Sequence, residues 1–524
     1  MLYPLGQQNF SEIRKEGRTY VDKTMFIPLL LRHKFCFLSR PRRFGKSLLL
    51  STLEYFFLGK RELFKGLAAD SLDWGWEEYP VIRIDLNGAN YHEIKGLECR
   101  FEALFHDLED KFALPHSSEY TLSERFRYIL RNSAKKMGRR AVVLIDEYEK
   151  PLLDVIDDQK KLNEWRNILS GIYSVLKSEE DSIELALLTG VTRFGHLNIF
   201  SGLNNLTDIS LDPVFTAICG ITEEEIETRL KTGVEYLADK NGVTYPKALE
   251  ILKDRYDGYH FSHHLTDIYN PYSLLTALSN GELVNTWMQS GNSFYLLEKL
   301  KEMEFNLFEL EGIGADRDTL MSTDPGYEDP VSLLYQSGYL TIKGYDSTTM
   351  TYTLGIPNQE VRTTLYKSII PFYLGKKARV SQPDVLRLSQ YITEGKAEEM
   401  MKWLQQFFSR IPYQMKLLHK KDSTLQEADF QFMIYAIMGL AAGLSNLHLE
   451  KSTSFGRLDM VMETLKYVYI FEFKLGKDAM EAMNQINSRD YPLSWVADKR
   501  EIIKIGVAFS TETRGITDYL IETV

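Results

Sequence analysis

Cysteine is scarce: Cys36, Cys99 and Cys219 are the only three in 524 residues, far apart and without a C-x-x-C pair. That speaks against a disulfide framework or a zinc site and fits a reducing cytoplasm, the expected location. Long hydrophobic runs are missing as well. The longest, Met433 to Leu444, is too short to span a bilayer and reads as a buried helix, so no membrane partner is expected. The first residues, "MLYPLGQQNF", lack the basic stretch and apolar run of a secretory signal. Excess positive charge is absent: the net of −11 argues against generic nucleic-acid binding.

What is there is an ordinary globular composition, 44% hydrophobic and 26% charged, in a chain long enough for about three or four domains. The charge is uneven. Residues 1–50 hold ten Lys/Arg against three Asp/Glu, a net of +7, which leaves −18 for the remainder. A basic mouth on an acidic body suits a phosphate-bearing small molecule better than a long polyanion.

Short apolar runs alternate with helical periodicity through the first 221 residues. Strands are expected at Lys34–Ser39, Val81–Leu86, Ala141–Asp146, Ile183–Leu188 and Phe215–Ile221, and a helix over Ser47–Phe57. This alternation predicts a mostly parallel α/β sheet covered on both faces. At Thr222 a capping box with Glu225 opens a helical region. Pro330–Tyr366 reads helix, hairpin, helix, an order resembling a winged helix. Residues 376–426 read as an amphipathic helical linker. From Glu427 the pattern runs helix, two strands (Arg457–Glu463 and Tyr467–Leu475), helix, and a strand Ile502–Phe509. The expected domains are therefore 1–221, 222–375, 376–426 and 427–524.

Phe44-Gly45-Lys46-Ser47 ends a phosphate-binding loop of the form G-x-x-x-x-G-K-[ST], with Arg40 where the first glycine belongs. Gly45 lets backbone approach a phosphate, Lys46 neutralises the terminal phosphates, and the Ser47 hydroxyl ligates Mg²⁺. Arg42, Arg43 and Phe44 complete the candidate nucleotide-binding set, and Arg40, Arg42 and Arg43 are candidates for phosphate or subunit contacts. "AVVLIDEYEKP" places Asp146 and Glu147 at the end of a buried strand, Asp146 to hold Mg²⁺ through water and Glu147 to orient or deprotonate the attacking water. Thr189 ends a third strand, where its hydroxyl is a candidate to sense the γ-phosphate or position the water. Arg193 is either an arginine finger for a neighbouring subunit or an ordinary salt-bridge residue.

The runs "YVDKT", "RPRRFGKS", "LIDEYEKP", "TGVTRF", "IFSGLNNL", "YDGYHF" and "LLYQSGYLTI" closely resemble the predicted AAA-ATPase-like family of bacteria. The resemblance implies a P-loop NTPase domain that binds ATP with Mg²⁺. It also implies that the missing glycine is a family trait.

A second site lies in "GRLDMVMETLKYVYIFEFKLG", Gly456–Gly476. Alternation along a strand puts Glu472 and Lys474 on one face, and a turn around Thr464–Lys466 brings Asp459 close to Glu472. Paired carboxylates hold a divalent metal, Mg²⁺ or Mn²⁺, while Lys474 positions or activates water. Glu427 adds a candidate carboxylate, and Gln485 lies on the following helix. The pattern resembles the PD-(D/E)xK nuclease superfamily, with Leu458-Asp459 in place of Pro-Asp. The resemblance implies an ATPase coupled to a metal-dependent nuclease, with DNA or RNA and further copies of the chain as candidate partners. The alternative is a nucleotide-gated scaffold that docks without cutting.

Overall fold

The computed structural model describes every residue except 1, 194–198, 201–202, 204, 288–299, 301–309, 322–329, 375–379, 410–426, 442–446, 454–455, 490, 496–498, 511 and 514. Parts of the "TGVTRF" and "IFSGLNNL" runs and of the expected linker fall outside these residues. The chain divides into two compact units. Met1–Thr286 and Gly312–Asn358 form the first, Trp287–Glu311 and Gln359–Val524 the second.

The first unit is built on strands β1 (Phe35–Ser39), β2 (Val81–Asp85), β3 (Ala141–Asp146), β4 (Ile183–Gly190) and β5 (Thr207–Asp208). They pair in the order β2-β3-β4-β1-β5, every pairing parallel. All six residues of β3 are buried, because helices cover both faces of a parallel sheet. The helices Gly96–Lys111, Leu122–Met137 and Gln159–Ser178 present Phe101, Phe105, Phe126, Ile129, Trp165 and Ile172 to that core. The middle one starts at a capping box, Thr121 with Glu124, and stops at Gly138 in the left-handed region.

Phe215–Ile221 is not a strand. Its backbone closes on itself in turns (Phe215 N–H to Asp212, Ile218 N–H to Phe215), and the carbonyl of Phe215 is taken by the buried Arg40 guanidinium. The fifth strand is instead the two-residue Thr207–Asp208, too short to show a period. The capping box at Thr222 and Glu225 is present, and three helices after it, Lys231–Asn241, Tyr245–Tyr256 and Pro271–Asn280, share their own core. Strands β6 (Ile313–Ala315), β7 (Thr341–Asp346) and β8 (Thr351–Gly355) form an antiparallel sheet in the order β6-β8-β7. Sequence patterning foresees its hairpin and misses β6.

The second unit carries β9 (Leu447–Thr453), β10 (Gly456–Glu463), β11 (Tyr467–Leu475), β12 (Glu501–Ser510) and β13 (Gly515–Thr523), ordered β13-β12-β11-β10-β9. β11 and β12 run parallel, joined by a crossover that contains the helix Ala479–Ser488; the other pairs are antiparallel. That helix lies directly on the sheet at Gly506, where an added Cβ would sit 2.7 Å from the Ala479 carbonyl oxygen. The edge strands β9, polar in sequence, and β13, half-exposed, carry no strong apolar run and were not foreseen. The apolar stretch beginning at Met433 lies in the helix Glu427–Ala441, and among the described residues no helix is long and apolar enough to cross a membrane.

Candidate functional site

Because β1 and β3 both pair in parallel with β4, which lies between them, the loop after β1 and the acidic end of β3 emerge at the same carboxyl end of the sheet. Ligands of open α/β sheets bind at such carboxyl ends. Gly45 has φ +93° and is followed at once by the helix Lys46–Phe57. A side chain there would strain the turn. The helix starts without a side-chain cap, so its first N–H groups remain available to an anion. Lys46 is buried and folds back, its Nζ donating to the carbonyls of Arg40 (3.0 Å) and Pro41 (3.3 Å). Ser47 is half-buried in the first turn.

Arg40 is 1% exposed. Its guanidinium donates to the carbonyls of Ser39, Ser210 and Phe215, packs 4.1 Å from the Phe261 ring, and its N–H reaches Gly190. The residue in place of the first glycine therefore ties the turn to β4 and to the segment beyond β5. The Phe44 ring is buried edge-on against Tyr259 and Phe261, so only its backbone can face the loop, and its carbonyl accepts from Gly220. Arg43, at φ +67°, donates to the Thr286 carbonyl (2.9 Å) and lies over Tyr272. Arg42 is half-buried.

Asp146 is buried, with one oxygen accepting from the Thr189 hydroxyl at 2.8 Å and the other 3.1 Å from Arg83. Thr189 thus touches the carboxylate directly. Glu147 holds φ +51°, a conformation that costs a residue of this type about 1–3 kcal/mol and gathers at functional sites. Arg193 forms a salt bridge with Asp208 at 3.0 Å, and its N–H donates to Gln336.

Glu149 is a residue that sequence reasoning missed. It is fully buried, and one oxygen accepts from the N–H groups of Val191 and Thr192, clasping the end of β4. Its second oxygen has no hydrogen-bond partner among the described residues. Burial, and then the neighbouring Glu147, hold its carboxyl well above the usual range. Gly190 makes the room: a Cβ there would meet that second oxygen at 2.2 Å. The signal available was a carboxylate set among Tyr148, Pro151 and Leu152.

In the second unit the register pairs Met460 with Phe471, so Asp459 and Glu472 are neighbours across the hairpin. Asp459 accepts from the Phe473 N–H (2.8 Å), Glu427 from the Leu475 N–H (2.8 Å), and Lys474 Nζ donates to Glu472 (3.1 Å). Glu472 is fully buried, and its other oxygen has no partner among the described residues. Burial first, then Asp459, push its carboxyl up to about 7. Burial pulls Lys474 down, but Glu472 outweighs it and the net direction is up. An orphaned acceptor among three carboxylates that repel one another is a fitting place for a hard divalent cation. Gln485 lies on the helix Ala479–Ser488 beyond this hairpin.

Residues 4–200 match a family described as Predicted AAA-ATPase, and residues 425–519 match the PD-(D/E)XK nuclease superfamily. Across 528 aligned residues the chain is 31% identical to an uncharacterized protein in the vnfD 5'region of Azotobacter chroococcum mcd 1, with 99% of each chain covered. Two solved structures align more distantly. The Aeropyrum pernix ORC2 protein (ADPNP-ADP complexes) is 12% identical, over 66% of this chain and 92% of that one, with a TM-score of 0.26. The Cdc6p of Pyrobaculum aerophilum is 10% identical, over 68% and 93%, with a TM-score of 0.24.

Proposed function

The chain belongs to the predicted AAA-ATPase family and ends in a PD-(D/E)XK nuclease superfamily module, and from that premise we propose a nucleotide-controlled nuclease. ATP with Mg²⁺ binds at the loop after β1, and its hydrolysis governs metal-dependent cleavage of DNA or RNA by residues 427–524. The working partition is 1–221 for the ATPase, 222–375 for a lid and winged-helix-like region, 376–426 for a linker and 427–524 for the nuclease-like module.

The observation that carries the reading is that Gly45-Lys46-Ser47 and Asp146-Glu147 follow two parallel strands flanking β4 and so lie at the same carboxyl end of the sheet. Lys46 would give up its two backbone carbonyls to meet phosphate oxygens, and Ser47 with Asp146 would hold the Mg²⁺, which would neutralise phosphate charge. Glu147 orients the attacking water, and Thr189 fixes the Asp146 carboxylate. Arg42, half-buried in the loop after β1, is proposed to contact phosphate. Arg193 serves in cis with Asp208 until a neighbouring copy draws it away. In the C-terminal module Asp459, Glu472 and Glu427 would hold Mg²⁺ or Mn²⁺, which would supply Lewis acidity at the phosphodiester. Lys474, held beside Glu472, positions the water.

A docking protein that does not cut is the second reading, favoured by the acidic charge outside residues 1–50. Cleavage of single- and double-stranded DNA and RNA, assayed with and without ATP and Mg²⁺, separates the two. Wild type should cut, Lys46→Ala should lose the ATP dependence, and Lys474→Ala should bind metal without cutting. Nucleic acid that is bound but never cut, with metal present, gives the second reading the lead.

A further inference from the structure

The scarcity of cysteine speaks against a zinc site, yet a cluster built without cysteine stands on the helix Gly96–Lys111 and the turn that follows it. His106 and Asp110 lie one helical turn apart, and the chain then reverses through Ala113, at φ +46°, and Pro115. The reversal returns His116 to the same carboxylate. His116 Nε2 is 2.8 Å from one Asp110 oxygen, His106 Nδ1 is 3.5 Å from the other, and the two imidazole rings are 4.0 Å apart. One ligand atom from each residue lies within 4.8 Å of the other two. A tetrahedral zinc with bonds of about 2.0–2.1 Å separates its ligand atoms by roughly 3.3 Å, so small side-chain rotations close the set.

The turn is held from beneath. Ser117, next to His116, donates its hydroxyl (2.5 Å) and its N–H (3.3 Å) to Glu109. Glu109 is fully buried and takes two further bonds from the buried Arg125. The Leu114 N–H returns to the Glu109 carbonyl at 2.8 Å. Exposed ligands on a turn anchored by a buried ion pair keep their spacing without the metal.

We propose that His106, Asp110 and His116 form a binding site for a divalent transition metal of the zinc class. Imidazole selects such ions over Mg²⁺ or Ca²⁺, and three protein ligands leave the remaining position to water. The ion pins the turn between the helices Gly96–Lys111 and Leu122–Met137 and shares no ligand with the two sites described above.

Calorimetric titration of the full chain with Zn²⁺, in excess Mg²⁺ to occupy the carboxylate-rich sites, tests this. Wild type should take up one more Zn²⁺ per chain than His106→Gln/His116→Gln. Ser117→Ala should keep that equivalent and weaken it by about 10–100-fold, since groups that orient ligands contribute this much. Circular dichroism checks that the double variant folds; if it does not, Asp110→Asn takes its place in the comparison. Equal zinc uptake in number and affinity by wild type and the ligand variant overturns the site, as does a wild type that takes up none.

Discussion

Glu472→Gln should make the metal-free protein more stable at high pH while removing its capacity for metal. The Glu472 side chain is fully buried, and burial followed by the charge of Asp459 raises its carboxyl from 4.5 to about 7. A carboxyl with a higher pKa in the fold than in the unfolded chain favours folding in its protonated form. That contribution is complete below about 4.5 and is lost as pH rises through about 7. The difference between 4.5 and about 7 corresponds to roughly 3 kcal/mol. Glutamine keeps the shape and never ionises. Lys474 then loses one partner but retains the Phe473 carbonyl at 3.1 Å, with Asp459 and Glu427 as neighbouring negative charges.

Differential scanning calorimetry of the full chain is the assay, because the two compact units can melt separately. At about pH 8 the variant's C-terminal transition should rise by roughly 5–10 °C, and at about pH 5 by much less. Mn²⁺ should raise that transition in wild type only, since a ligand stabilises the state it binds. A variant that melts with wild type at both pH values would refute the reasoning, for it would mean that the ionised Glu472 is already compensated within the fold.

Glu147→Gln should retain nucleotide, seen as an undiminished ATP-dependent rise in melting temperature, while phosphate release slows by about 100-fold or more, as expected for loss of a general base. Equal turnover in variant and wild type would move that role elsewhere, with Glu149 the next residue to test. Phe44→Ala should cost about 3–5 kcal/mol of stability in the first unit, because the ring fills an aromatic pocket with Tyr259 and Phe261. Its effect on ATP affinity should follow from the loosened loop, so a variant of unchanged stability would contradict the packing described here.

The strands that bear the chemistry were legible because each is buried on both faces and reads as a continuous apolar run with a polar residue at its end. Ala141–Asp146 and Tyr467–Leu475 are of this kind. The helix starts at Thr222 and Lys46 were legible for a local reason as well: a capping box and a glycine turn act over three or four residues. Edge strands such as Thr207–Asp208 and Gly515–Thr523 were not, since half-exposed or very short segments carry little period. Phe215–Ile221, apolar enough for a strand, is held in turns by Arg40, which lies far away in sequence.

Sequence alone thus determined the parallel sheet, the Gly45-Lys46-Ser47 loop, the acidic end of β3 and the pairing of Asp459 with Glu472. All of these follow from periodicity and turn chemistry within a few residues. Tertiary structure decided which charged groups are buried and what they touch. It made Arg40 an anchor, turned Phe44 inward, gave Arg193 to Asp208 and set Glu149 against the end of β4. The physical reason is that a charge or ring takes its role from what surrounds it, and in this chain those surroundings come from segments tens to hundreds of residues away.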